Sequence, residues 1–266
     1  MLVYGQTKVG KSTFCSHSEG ALFLATEPGL NALDVYQAPI QSWQDLLNGC
    51  AEIEKGGHPF RTVIIDTIDN AYKFCTDYIL KKHDIDHESD LGYGKGYALI
   101  NNEFQRVLTK LAFLPCGLFL ISHAKEIEIE TRTGKYTRTV PTLPDKARKI
   151  VLGMVDMILY FDLEDGEDKT TRRLIRTKPS KYYEAGDRTG RLPETLDLDF
   201  RRFLDARRRD VFYQNTAFCF NYQRPCPYFA LCRSNGNPNV IENFYQRVAA
   251  NEELRVLPTA EPKPAF

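Results

Sequence analysis

No stretch of this sequence stays apolar for long. The longest runs, such as Leu111–Leu114 with Leu118–Ile121, fall far short of the roughly 20 residues that a membrane-spanning helix needs. An excess of either charge is also missing. Lys plus Arg and Asp plus Glu both total 35, which excludes a uniformly basic coat for nucleic acid but leaves local patches open. The opening residues Met1-Leu2-Val3-Tyr4-Gly5 lack the charged and apolar stretches of a secretion signal. The seven cysteines are an odd number, and without a secretory context a disulfide framework is not expected. The expectation is a soluble cytoplasmic protein. Internal repeats are absent, and 42% hydrophobic with 26% charged residues excludes a largely disordered chain. At 266 residues the chain can bury a core without metal or disulfide support.

What is present is an alternation of short apolar runs with helical patterns through roughly residue 165, the signature of a mostly parallel sheet flanked by helices. Strands are expected at Leu2–Tyr4, Ala21–Ala25, Thr62–Asp66, Gly117–Ser122 and Met157–Asp162. Helices are expected at Lys11–Ser18, Trp43–Lys55, Asn70–His83, Tyr97–Phe113 and Lys146–Val155. Glu126–Val140 alternates around Thr133-Gly134-Lys135 and reads as a hairpin. A second hairpin pairs Leu174–Thr177 with Ile158–Phe161 across the polar turn Glu164–Thr171. From Asp210 onward Asn, Gln, Pro, Tyr, Phe and Cys dominate. The expected division is 1–205, then a cysteine-rich module at 206–258, then a tail at 259–266.

Gly5-Gln6-Thr7-Lys8-Val9-Gly10-Lys11-Ser12 matches the P-loop pattern G-x-x-x-x-G-K-[ST] at every fixed position, with a strand before it and a helical stretch from Lys11 through Thr13 after it. Glycines let the backbone wrap a phosphate closely, so that successive amides face its oxygens. Lys11 would reach the β- and γ-phosphates and Ser12 would offer a hydroxyl to Mg2+. Val63-Ile64-Ile65-Asp66, a β-branched run ending in an acid, supplies the carboxylate such a metal needs, the Walker B pattern. Asp69 is a weaker candidate, either behind that site or capping a helix. The apolar run ending in Ser122-His123 brings polar groups to the sheet edge that should face the γ-phosphate. His123 either senses the nucleotide or merely ends a strand.

Six segments together resemble RecA-like ATPases, specifically the small phage-encoded, AAA-type ATP-binding group linked to recombination and single-strand annealing. They are Tyr4–Thr13, Ala25–Gly29, Val63–Asp69, Leu91–Ala98, Leu120–Glu126 and Thr177–Phe200. Most telling are Gly92-Tyr93-Gly94-Lys95-Gly96-Tyr97 and Tyr183-Glu184-Ala185-Gly186-Asp187-Arg188-Thr189-Gly190-Arg191-Leu192-Pro193. The resemblance implies a RecA-like P-loop core and a homo-oligomeric, MgATP-dependent ATPase acting with single-stranded DNA, in host cytoplasm if phage-encoded. It also implies that Glu27, at the tip of the strand after the P-loop helix, activates water. The alternative is a surface acid before a Pro-Gly turn.

Two stretches could follow a DNA backbone. Thr131–Lys149 carries Arg132, Lys135, Arg138, Lys146, Arg148 and Lys149 against the single acid Asp145, and Thr170–Arg191 carries seven basic residues against Glu184 and Asp187. Tyr93, Tyr97 and Tyr136 could stack on unpaired bases. A solvated charged hairpin is the plainer reading. Lys178, Lys181 and above all Arg188 could complete a neighbouring subunit's ATP site, since a guanidinium holds phosphate oxygens at two points.

Cys219, Cys226 and Cys232 crowd near the end around Arg224-Pro225-Cys226-Pro227-Tyr228-Phe229, which resembles the tail of RecB-family nucleases that hold an iron–sulfur cluster. Thiolates suit iron–sulfur or Zn2+ ligation, with a fourth ligand still to be found, and three free thiols are the alternative. Cys15, Cys50, Cys75 and Cys116 read as buried small hydrophobes. Two rival functions stay open: a nucleotide-dependent adaptor or switch without DNA activity, and an accessory subunit of a nuclease or recombination partner.

Overall fold

The structure, a computed structural model, describes residues 1–132, 134–165, 170–208, 220–221 and 224–225. The chain divides into two units, Met1–Arg208 and Arg209–Phe266. In the second, the described residues form one antiparallel pairing, Phe220 against Pro225 and Asn221 against Arg224. Cys219, Cys226 and Cys232 lie outside the described residues.

In the first unit, β1 (Leu2–Gly5), β2 (Ala21–Ala25), β3 (Tyr36–Pro39), β4 (Thr62–Asp66), β5 (Gly117–Thr131) and β7 (Met157–Asp165) run parallel in the order β7-β1-β5-β4-β2-β3. Beyond β7 lie β8 (Thr171–Arg176) and β10 (Thr195–Asp197), both antiparallel to their neighbours. Two more strands, β6 (Gly134–Pro141) and β9 (Gly186–Asp187), pair with β5 and β7. The mixed α/β fold with a mostly parallel sheet is the one expected of a P-loop core.

Apolar residues of the central strands point both ways because both faces are covered. Leu2, Leu24, Val63, Ile65 and Leu120 face a layer made of α2 (Trp43–Lys55), α3 (Ile68–Lys82), α4 (Lys95–Ala112) and α5 (Asp145–Met154). Val3, Phe23, Ile64, Ile121, Leu159 and Phe161 face α1 (Lys11–Ser16) and α6 (Phe200–Arg208). Only six residues long, α1 relies on packing rather than on its own hydrogen bonds. Phe14 meets Phe161, Phe200 and Phe203 edge-on at 5.0–5.5 Å between ring centres.

Three details depart from the pattern read in the sequence. The strand expected at Gly117–Ser122 continues to Thr131 as one arm of the hairpin. The second hairpin pairs Tyr160 with Arg176 and Asp165 with Thr171, while Ile158 pairs with Gly186 instead. The hairpin is also less basic than Thr131–Lys149 alone suggests. Its other arm presents Glu126, Glu128 and Glu130 on one exposed face, and Lys135 pairs with Glu128 at 3.0 Å. Among the described residues no helix is long and apolar enough to cross a membrane.

Trp43, 1% exposed, begins α2 and donates its ring N–H to Glu103 at 3.0 Å, and Tyr72, early in α3, donates to Asn101, early in α4. All three helices therefore start at the same sheet edge, where β1, β2 and β4 end. Phe104 sits fully buried between Trp43 and Tyr72, with ring centres 6.3 and 5.0 Å away. Phe104→Ala is expected to cost about 3–5 kcal/mol of stability, read from urea unfolding followed by emission of the sole tryptophan. A loss below about 1 kcal/mol would contradict this packing.

Candidate nucleotide site

The register of the sheet assembles the site. Gly5 pairs with His123, Ile121 with Asp66 and Ala25 with Asp66, so the carboxyl ends of β1, β4 and β2 lie level with the point where β5 passes between them. A crevice outside carboxyl strand ends is where open α/β sheets bind ligands.

Two glycines are required by their surroundings. A Cβ on Gly5 would stand 2.5 Å from the Phe161 carbonyl, and Gly10 adopts φ 113°, which side chains avoid. Between them the loop folds back on Lys11, which is 6% exposed and donates to the Gly5 and Gln6 carbonyls at 3.0 and 2.8 Å. Burial lowers the Lys11 pKa, opposed by Asp66, Glu27 and Asp69. A cation held by loop carbonyls can exchange them for phosphate oxygens. Ser12 donates to Asp66 at 2.6 Å, which joins the hydroxyl and the carboxylate expected to share Mg2+. Burial raises the Asp66 pKa, and the Ser12 bond opposes it. These hard oxygen donors fit Mg2+ together with a nucleotide's phosphates.

Thr26 clasps the end of β4. Its amide donates to the Asp66 carbonyl, and its hydroxyl donates to the Thr67 carbonyl and accepts from the Thr67 amide. Next along, Glu27 accepts from Asn70 at 3.1 Å and lies 3.3 Å from the His123 Nε2. The imidazole holds the Glu27 pKa below its ordinary value, and Glu27 raises that of His123. Asp69 accepts from the Ser122 hydroxyl and from the His123 amide, both at 2.9 Å, so it pins β5 to α3 instead of capping its own helix. Burial raises its pKa.

Lys11, Ser12, Asp66, Glu27 and His123 thus converge. Arg188 does not join them: it pairs with Asp156 at 2.7 Å, beside the start of β7 and at the opposite edge from the P-loop. Asn70 and Thr26 carried no signal in the sequence, because an amide or a hydroxyl acquires this role only through its position. Among the described residues no group of three or more His, Cys, Asp or Glu is placed to hold a metal ion. Cys15, Cys50 and Cys75 are free and buried, Cys116 is half-buried, and burial pushes the Cys50 thiol up to about 11.

Fold and site together define a P-loop nucleotide-binding protein. The chain belongs to the AAA domain family, whose model matches residues 1–189. It is also similar to the "SPbeta prophage-derived uncharacterized protein YorG" of Bacillus subtilis (strain 168), at 26% identity over 181 residues, 66% of this chain and 53% of that protein. The chain therefore spans about half the length of this relative.

The Glu27–His123 pair has a pH signature. It is ionic between the lowered pKa of Glu27 and the raised pKa of His123. For His123 the contribution is complete below the ordinary value of 6.5 and lost as pH rises through the raised value; for Glu27 it is lost as pH falls through the lowered one. Both side chains are 33% exposed, so the stabilisation is small, but the titration itself is readable. In NMR titrations His123 is expected above 6.5, returning toward that value in Glu27→Gln. A wild-type value at or below 6.5 would show that the pair does not form.

Proposed function

We propose that the chain hydrolyses MgATP and couples this to handling of single-stranded DNA in recombination, annealing or replication, acting as a homo-oligomer. The observation that carries the ATPase half is the convergence of Lys11, the Ser12–Asp66 bond and the Glu27–His123 pair at one sheet edge. Gly5, Gln6, Thr7, Lys8, Val9, Gly10 and Thr13 would cradle phosphates, with Lys11 on the terminal oxygens. Ser12 and Asp66 would hold Mg2+, which when bound draws charge from the phosphoryl oxygens. Glu27 orients and accepts a proton from the attacking water, with Asn70 and His123 fixing its carboxylate.

The DNA half is supported by tyrosines near that edge. Tyr93, fully exposed, lies in the loop entering α4, and Tyr97, 39% exposed, lies in its first turn. Tyr136 is half-buried against Tyr182 and offers less. Arg188 could act only on a neighbouring chain's site. Residues 1–205 would form the ATPase domain, 206–258 a docking module and 259–266 a tail. An iron–sulfur or Zn2+ centre at Cys219, Cys226 and Cys232 rests on the sequence alone. A second reading, a nucleotide-dependent switch without DNA activity, is favoured by the exposed acids Glu126, Glu128 and Glu130 on the hairpin, which repel a phosphate backbone.

Lys11→Ala is expected to abolish ATP binding. Glu27→Gln is expected to keep it while slowing turnover about 10²–10⁴-fold, since the base is lost and the shape retained. Hydrolysis measured with and without oligonucleotide separates the readings. Stimulation by single strands supports the DNA role, and ATP binding without any oligonucleotide effect favours the switch. Unchanged hydrolysis in Lys11→Ala would remove the site assignment altogether.

A further inference from the structure

Glu27 takes its place from the residue before it. The ladder between β2 and β4 ends with Ala25 opposite Asp66. Thr26, 8% exposed, carries the contact past that end, its amide donating to the Asp66 carbonyl at 2.8 Å. Its hydroxyl donates to the Thr67 carbonyl at 2.9 Å and accepts from the Thr67 amide at 2.7 Å. Thr67 is 1% exposed and caps the start of α3, where its carbonyl also accepts from the Ala71 amide at 3.2 Å. One hydroxyl thus holds the junction at which the strand bearing Asp66 becomes the helix bearing Asn70.

The bonds close a ring. From Thr67 the first turn of α3 leads to Asn70, whose side-chain amide donates to the Glu27 carboxylate at 3.1 Å, and the Glu27 backbone leads back to Thr26. Backbone and carboxylate of Glu27 are therefore both referred to the start of α3, one through Thr26 and the other through Asn70. After Glu27 comes Pro28, which has no amide to donate, so a backbone N–H cannot anchor the chain there. The Thr67 side chain does not take over the contact. Among the described residues its buried hydroxyl has no partner, and α3 starts without a side-chain cap.

We infer that Thr26 is a positioning residue for hydrolysis: its hydroxyl fixes the separation of Glu27 from Asp66, and with it the place of the attacking water at the terminal phosphate. The inference rests on the ATPase reading proposed above. It adds a residue outside the set that would meet nucleotide or metal. A catalytic geometry displaced by about 1 Å loses on the order of 10²-fold in rate. The P-loop lies between β1 and α1 and keeps its own bonds when Thr26 changes. Removing the Thr26 hydroxyl therefore slows turnover and spares binding.

Single-turnover hydrolysis of MgATP and calorimetric titration with a non-hydrolysable ATP analogue, both on the full chain, test it. Thr26→Val, which keeps the shape and loses the hydroxyl, is expected to slow hydrolysis about 10–100-fold while the Kd moves less than about twofold. Thr26→Ser, which keeps the hydroxyl, is expected to stay within about twofold of the wild type in both. Added to Glu27→Gln, Thr26→Val should slow hydrolysis no further, since it acts through Glu27. Wild-type turnover in Thr26→Val, or equal losses of turnover and binding, would overturn the inference and leave the ATPase reading standing. A full further loss in the Glu27→Gln background would do the same. So would a Thr26→Ser chain slowed more than about tenfold, which decides the matter even where Thr26→Val fails to fold. Absence of hydrolysis by the wild type would overturn the ATPase reading and the inference with it.

Discussion

The ladder that sets Gly5 beside His123 also sets Ile121 beside Asp66, because β5 runs between the strand that carries the P-loop and the strand that ends in Asp66. Neighbouring strands lie about 4.8 Å apart, so this insertion separates Gly5 from Asp66 by roughly twice that distance. The gap is what the site needs. It leaves room between the loop and the acid, and it puts a polar strand position, Ser122-His123, at the middle of that room. Ser12 spans the remainder from α1 to reach Asp66. A slip of β5 by one residue would turn Ser122 and His123 to the opposite faces and break both bonds to Asp69.

Charge at this edge is arranged around a single buried cation. Three carboxylates, Glu27, Asp66 and Asp69, surround Lys11, and each raises its pKa against the lowering effect of burial. The acids differ in how they are satisfied. Asp69 is taken up by β5 and serves architecture, Asp66 has one hydroxyl donor, and Glu27 is held by an amide and an imidazole in a third-exposed position. The three acids thus run from buried Asp69 and Asp66 to the more open Glu27.

Away from the phosphate edge, many basic residues that look available in the sequence are already paired. Arg148 meets Asp145 and Glu184, Arg176 meets Asp162 and Glu164, Lys178 comes within 4.0 Å of Asp187 and Arg188 meets Asp156. A count of positive charges along a segment therefore overstates what a phosphate backbone would encounter. Among the described residues, Tyr93 and Tyr97 keep exposed aromatic surface.

Strong local patterns are legible in the chain itself. The P-loop glycines and Lys11, the Val63–Asp66 run and helix α2 stand where the sequence puts them, since short buried strands, tight glycine turns and an amphipathic helix are written in neighbouring residues. β3 is not legible: Tyr36–Pro39 is an edge strand with no apolar run to announce it. Neither is α6, whose Phe200 and Phe203 gain meaning only by packing on Phe14. By itself the sequence determined the class of fold and the phosphate-binding chemistry. Tertiary structure alone decided which acid pins a strand and which one faces water, that His123 meets Glu27, and that Arg173 overhangs Gly10. Those pairings join residues that are dozens to more than a hundred positions apart, and only the strand order and register bring such residues within hydrogen-bonding range.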